Sequence, residues 1–328
     1  MILKDFIKDS KLGNNILGTN DKHLSLIMKT FMVKIKVVGS DIIIDDTSKE
    51  LEKKIITFFD LIATLSHFNV HLIERDIVYI IKNILIDSDA SYLEKVISIY
   101  LYPTFIVSDK NSQKIYAKTL NQKKYYESMI NNEITFGLGP AGTGKTFLAV
   151  CYAVWLLKHN KIKKIILTRP AVEAGEQLGF LPGDFKEKID PYLTPLYDAL
   201  YLLYDKDTIA EMITKDIIEI APLGYMRGRT MQNTFVILDE AQNATYTQLK
   251  MFVTRLGFST KMVITGDPSQ VDLVSKERNR SSSLAYVEKI FSNIEGISIV
   301  KFDSLDVVRH PLVGQIIDRY NKYENSGS

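Results

Sequence analysis

With 328 residues, 46% of them hydrophobic, and a net charge of +2, the chain has the composition of a globular protein large enough for two domains. No apolar run reaches the roughly 18 residues of a membrane span, and a charge this near balance neither demands nor forbids a nucleic-acid partner. The single cysteine, Cys151, excludes an intramolecular disulfide and a cysteine-rich metal site. It falls in an apolar helical run, where a packed core thiol is expected rather than a nucleophile. The opening Met1-Ile2-Leu3-Lys4-Asp5 lacks the basic, apolar and small-residue regions of a secretory leader, so a cytoplasmic location is expected.

In chain order, Asn14-Asn15-Ile16-Leu17-Gly18 reads as a short strand and Asp21 as the N-cap of a helix from Lys22 to about Phe31. Val33 to Val38 alternates, Gly39-Ser40-Asp41 turns, and Ile42-Ile43-Ile44 completes a hairpin. Ser48 opens a helix in which Leu51, Ile55, Phe58, Leu61 and Ile62 recur at helical spacing. Two further helical patterns lie near 71–85 and 90–101. The expectation is a small α+β domain over 1–102, a make-up common among nucleic-acid-binding units. It has no G-x-x-G loop of the kind that clamps a nucleic-acid backbone; its glycines are Gly13, Gly18 and Gly39. Lys34 and Lys36 share a strand face and fit either a phosphate contact or a solvated edge, the latter being preferred. The turn-rich stretch 103–118 reads as a linker, followed by a larger domain over 119–328.

From Thr119 onward, strands and helices alternate. Apolar, β-branched runs occur at Ile134–Leu138, Lys164–Thr168, Ile217–Ala221, Phe235–Leu238, Met262–Thr265 and Ile297–Lys301. This is the pattern of a parallel sheet with helices on both faces, which binds ligands beyond the C-terminal ends of its strands. Three of those ends carry motifs. After the first strand, Gly139-Pro140-Ala141-Gly142-Thr143-Gly144-Lys145-Thr146 matches the Walker A pattern G-x-x-x-x-G-K-[ST] at every specified position and runs into a helix. Its glycines let backbone N–H groups surround phosphate oxygens, Lys145 brings positive charge to the β- and γ-phosphates, and Thr146 offers a hydroxyl to Mg²⁺.

After the fourth strand come Asp239 and Glu240. Adjacent carboxylates at a buried strand end suit an aspartate that holds Mg²⁺ through its hydration shell and a glutamate that orients or deprotonates a water. The bland reading, a solvated strand end, loses ground because a phosphate loop lies upstream. After the fifth strand, Gly266-Asp267-Pro268-Ser269-Gln270 offers in Gln270 an amide able to bond a γ-phosphate oxygen and report its loss. Gln122, just ahead of the first strand, could pair with an adenine edge, the alternative being a surface amide without a role. Tyr125 and Tyr126 are expected to pack rather than stack on a base.

GPAGTGKT, DEAQ (Asp239–Gln242) and GDPSQ (Gly266–Gln270) resemble motifs I, II and III of superfamily 1 helicases. Thr168-Arg169-Pro170-Ala171-Val172-Glu173-Ala174-Gly175-Glu176, Leu178 to Asp184, Asp190 to Leu193, Tyr225 to Thr230 and Asp306 to Pro311 narrow the likeness to the PhoH-like ATPase family, from about Thr119 to Tyr320. The resemblance implies one RecA-like core that binds and hydrolyses ATP with Mg²⁺ in the cytoplasm. It also implies a link to phosphate-starvation genes and work on RNA or single-stranded nucleic acid. Site roles carry over to Gly139–Thr146, Asp239, Glu240, Gln242 and Gln270. Some relatives carry a PIN nuclease; no stretch here is left for one, so ribonuclease activity is not expected.

The chain beyond Lys145 suffices for one such core and no second. The arginine that a second core would bring to the γ-phosphate is therefore expected from a neighbouring subunit in a ring such as a hexamer, with Arg309 first and Arg227 and Arg229 next. Each of these also fits a structural ion pair. Arg169, Ala171, Ala174 and Gly175 are placed for single-stranded nucleic acid, and 226–230 for a pore loop; solvated loops are the competing reading. Two other functions stay open: an ATP-gated assembly factor without motor activity, against which Glu240 argues, and a small-molecule kinase, which leaves DEAQ and GDPSQ unexplained.

Overall fold

The computed structural model describes residues 1–45, 47–170, 193–194, 196–270, 283–307 and Arg319. Among them, Met1–Pro103 and Thr104–Val307 form two compact units.

The first unit places strands β1 (Ile2–Leu3), β2 (Ile35–Val38) and β3 (Asp41–Ile44) in an antiparallel sheet of order β1-β3-β2. Helices α1 (Ser10–Leu17), α2 (Lys22–Phe31), α3 (Lys49–His67), α4 (Glu74–Ile86) and α5 (Ala90–Leu101) surround its core. That core is built from Ile16, Ile27, Ile42, Ile55, Phe58, Phe59 and Ile80, none accessible to solvent. The hairpin and the later helices match expectation. Ser48 caps α3 by accepting from Leu51 N at 3.3 Å.

Residues 14–18 do not form a strand. They lie at the end of α1, which Asp9 caps by accepting from Leu12 N at 2.8 Å. Gly13, Asn14 and Asn15 are poor helix formers, but burial of Leu12 and Ile16 one turn apart outweighs them. The Asn15 amide is buried and fully bonded, donating to Ser66 Oγ and Val70 O and accepting from Leu72 N. Asp21 precedes α2 in the left-handed region, at φ 57°, and its carboxylate makes no capping bond. Lys34 and Lys36 are exposed, the first immediately before β2 and the second on it, and β2 is an edge strand.

The second unit begins with a hairpin where a linker was expected. Strands β4 (Phe105–Ser108) and β5 (Lys114–Tyr116) pair antiparallel. The Asp109 carboxylate closes their turn by accepting from Asn111 N and Gln113 N at 2.8 and 2.7 Å, a local bond typical of aspartate in turns. Ile106, Val107 and Ala117 carry the hairpin into the core of this unit.

That core flanks a sheet in which all neighbours run parallel, with strands β6 (Ile134–Leu138), β7 (Lys164–Arg169), β8 (Ile218–Pro222), β9 (Thr234–Leu238), β10 (Lys261–Gly266) and β11 (Ile297–Lys301). Their order is β11-β6-β10-β9-β7-β8. All six strands fall where the apolar runs placed them. Side chains alternate between faces as the pleat requires. Phe235, Ile237 and Val263 meet α6 (Leu120–Asn131) and α7 (Lys145–Lys158) on one face. Val236, Leu238, Met262 and Ile264 meet α9 (Tyr246–Val253) and α10 (Val287–Phe291) on the other; α8 (Lys206–Thr214) precedes β8. Gly137 is the small residue that admits α6, because a Cβ there would lie 2.7 Å from the Tyr125 ring. Tyr125 and Tyr126 thus pack in the core. So does Cys151, whose thiol burial pushes out of its reactive range.

The edge strand β8 is secured by charge as well as by its ladder. Glu219 accepts from both terminal nitrogens of Arg229, at 2.6 and 2.8 Å, and meets Lys164 Nζ on β7 at 2.8 Å. The hydrogen bond from Arg229 is the main cause that holds the Glu219 carboxyl down at about 2, against the opposing effect of burial. A depressed carboxylate stabilises the fold above its unfolded pKa, and that contribution is lost as pH falls towards the folded one. Glu219→Gln should lower stability by about 1–2 kcal/mol near neutral pH, allowing for solvent screening of the partly open arginine. The gap between variant and wild type should close between pH 4.5 and about 2, read by urea denaturation across that range.

Candidate functional site

The strand order decides which turns meet. From β6 through β10 and β9 to β7, the C-terminal ends present the glycine loop, Gly266-Asp267, Asp239-Glu240 and Thr168-Arg169 in one row. Backbone bonds join them edge to edge: Gly139 N donates to Gly266 O at 3.0 Å and Asp239 N to Thr168 O at 2.9 Å.

Glycine conformation shapes the loop. Gly139 sits at φ 143°, where an added Cβ would collide with the carbonyl oxygen of Phe302. Gly144 (φ 83°) starts α7, and no side chain caps that helix, so its first N–H groups face the loop. Lys145 closes the loop on itself, donating to Gly139 O at 2.6 Å, Pro140 O at 2.7 Å and Thr143 Oγ1 at 3.3 Å. Thr143 is buried, while Ala141 and Gly142 are exposed at the rim.

Asp239, only 2% exposed, is the centre of the site. Its Oδ1 accepts from Thr146 Oγ1 at 2.5 Å and from Thr265 Oγ1 at 2.7 Å. Its Oδ2 accepts from Arg169 Nε at 2.8 Å and from Arg169 Nη2. Glu240 follows in the left-handed region, at φ 53°, which turns its carboxylate out of the strand line. Gln242 Nε2 donates to Glu240 Oε2 at 2.6 Å, and Gln242 Oε1 accepts from Asp267 N at 3.1 Å. One buried amide therefore spans the second and third motifs. Gln270 is exposed, its N–H bonded to Asp267 O at 3.1 Å.

The donor set suits a hard divalent cation. Thr146 and Asp239 supply paired oxygens at the mouth of a phosphate-type loop, and Mg²⁺ takes one or two protein oxygens and completes its shell with phosphate and water. Among the described residues no group of three or more His, Cys, Asp or Glu forms a separate metal cluster.

Several expectations require correction. Gln122 does not present its amide to a base: it is buried, accepts from Lys118 N at 2.8 Å and donates to Thr143 O at 3.0 Å, bracing the loop. Arg169 is held by the Asp239 carboxylate, so its guanidinium is not offered to nucleic acid. Arg229 is half of the Glu219 ion pair, which removes it as a trans-acting arginine; Arg227 is exposed. Arg309, Ala171 to Tyr192, and His310-Pro311 lie outside the described residues.

Two contributors escaped the sequence reading. Thr265 is a hydroxyl inside an otherwise apolar strand, and a buried hydroxyl requires a partner; here that partner is Asp239. Asp306 accepts from Thr119 Oγ1 at 2.6 Å and Asn121 Nδ2 at 2.8 Å. It thereby anchors the start of α6, and burial raises its carboxyl despite those bonds. A cavity of about 800 Å³ opens at the opposite, N-terminal end of the strands, between Tyr152, Trp155, Phe258 and Lys261. No motif residue lines it.

The family profile described as PhoH-like protein matches residues 114–321. The chain is similar to a PhoH-like protein of Bacillus subtilis (strain 168), 46% identical over 318 residues and 96% of each chain. It is similar to one of Mycobacterium tuberculosis (strain H37Rv), 42% identical over 95% of this chain and 86% of the relative. Protein PhoH of Escherichia coli (strain K12) is 39% identical over 65% of this chain and 60% of the relative. No described helix is long and apolar enough to cross a membrane.

Gly139→Ala tests the loop geometry. The collision with Phe302 and the unfavourable φ should cost about 1–3 kcal/mol. It should appear as a lowered melting temperature together with weakened binding of a fluorescent ATP analogue.

Proposed function

This chain belongs to the PhoH-like protein family, and on that premise we propose that it is a Mg²⁺-dependent ATPase whose turnover is coupled to RNA or single-stranded nucleic acid. One observation carries the hydrolytic reading: four strand-end segments far apart in the chain meet around Asp239, with a second carboxylate, Glu240, turned outward beside it. A site built only to bind a nucleotide has no need of that second group. The coupling to nucleic acid rests on the resemblance of the motifs to those of superfamily 1 helicases.

In this reading Lys145 exchanges the carbonyls of Gly139 and Pro140 for the β- and γ-phosphates. The N–H groups of Gly142, Gly144 and the start of α7 line the phosphates. Thr146 and Asp239 would hold Mg²⁺, which when bound neutralises charge on the phosphate oxygens. Glu240, whose side chain is 45% exposed and is oriented by Gln242, positions the attacking water and accepts its proton. Gln270, exposed after the third motif's turn, senses the γ-phosphate. A neighbour in a ring of identical subunits, a hexamer for instance, supplies Arg309 to the developing charge, an effect of about 10³–10⁵ in rate.

The test is ATP hydrolysis with and without single-stranded RNA or DNA. Lys145→Ala should lose ATP binding. Glu240→Gln should retain it while kcat falls by about 10²–10⁴. Arg309→Ala should bind ATP and fail to turn over, and full turnover in that variant would remove the trans-acting arginine. Binding without hydrolysis in the wild type would favour a gated assembly factor, and phosphate transfer to a metabolite a kinase.

A further inference from the structure

Arg169 is the largest departure from expectation, and the site's electrostatics explain its position. A carboxylate as buried as Asp239 needs a compensating positive charge. The Lys145 ammonium donates to Gly139 O, Pro140 O and Thr143 Oγ1 within the loop. Arg169 brings such a charge directly to the carboxylate: its Nε and Nη2 both reach Oδ2, while Thr146 and Thr265 take Oδ1. Both oxygens of Asp239 are therefore engaged, one of them by a cation. The same Nη2 lies 3.6 Å from Glu240 Oε1, so the guanidinium stands between the two acidic groups of the site.

We propose that Arg169 is the resident counter-ion of the Mg²⁺ site: it occupies Asp239 in the nucleotide-free chain and must leave that carboxylate before a metal–nucleotide complex can bind. The proposal rests on the ATPase reading only in taking Asp239 as the metal-side carboxylate. The physical argument is competition. A divalent cation and a guanidinium on one carboxylate repel each other at short range, so one displaces the other. Glu240 is already within ion-pair reach of the displaced group. The exchange makes the chain a poor ligand for free metal and a good one for metal that arrives with phosphates, because only the complex supplies anionic charge to the loop and cationic charge to Asp239 together. Arg169 is a positioning residue in this sense: it sets when the metal is admitted.

Electron paramagnetic resonance of Mn²⁺ added to the full chain without nucleotide reads this directly. The wild type should show no bound Mn²⁺ in the micromolar range. Arg169→Gln, which keeps a hydrogen-bond donor and removes the charge, should gain one site, and Arg169→Gln combined with Asp239→Asn should lose it again. The Mg²⁺ concentration that half-saturates fluorescent ADP binding should fall about tenfold in Arg169→Gln, the scale of one charge-assisted hydrogen bond. Arg169→Lys, a point charge without the fork, should shift both readings the same way by less, and it serves as the test if the glutamine variant fails to fold. Equal Mn²⁺ binding in wild type and Arg169→Gln, or a raised Mg²⁺ requirement in that variant, overturns the proposal. Wild-type nucleotide affinity in Lys145→Ala would overturn the ATPase reading instead, leaving the nucleotide-free Mn²⁺ result standing.

Discussion

A carboxylate with almost no access to water, at the end of a central parallel strand, is the constraint on which the site depends. Leaving Asp239 uncompensated would be strongly unfavourable, so each neighbouring strand end contributes something to it. The helix after β6 brings Thr146, β10 brings Thr265, and β7 brings Arg169. That set of partners requires β9 to lie between β10 and β7, with β6 beyond β10, which is the order observed. Strand order and local chemistry thus state one requirement at two scales. A sheet with these strands in another order would leave the carboxylate short of donors.

Much of this was legible in the chain because the signals were local. The six parallel strands announce themselves as apolar, β-branched runs, and the glycine loop needs only its own residues to be recognised. The misreadings occur where a long-range partner decides the outcome. Residues 14–18 look extended by propensity, yet the buried Asn15 amide and the Leu12–Ile16 face draw them into α1. The segment 103–118 has turn composition, but the Asp109 bonds and the burial of Ile106 and Val107 make it a hairpin. Arg169 and Arg229 were read by charge and position alone. The acids that claim them, Asp239 and Glu219, are named only by the fold.

The two glutamines separate frame from moving parts. Gln122 ties the chain before α6 to the glycine loop, and Gln242 ties Glu240 to the turn after β10. Both are buried and use both ends of the amide, so a change at either would leave a polar group unsatisfied in the interior. They hold segments in register and have little freedom to respond to a ligand. Lys145 and Arg169 differ in kind. Each is a cation bonded to acceptors next to the places where phosphate and metal would lie, and each could trade those acceptors without disturbing the glutamine frame.

Nucleotide binding at such a site is a substitution, so its net affinity is a difference between partners lost and partners gained. Releasing Lys145 uncovers the carbonyls of Gly139 and Pro140; releasing Arg169 uncovers a buried carboxylate. Phosphate alone can satisfy the lysine but adds anionic charge beside Asp239. Metal alone can satisfy Asp239 but adds cationic charge beside Arg169 and Lys145. Only the two together compensate every group left behind, so the closed, self-paired loop discriminates against partial ligands. The discrimination arises from the fixed arrangement of four strand ends, each of which supplies one member of an exchanging pair or the oxygen that receives it.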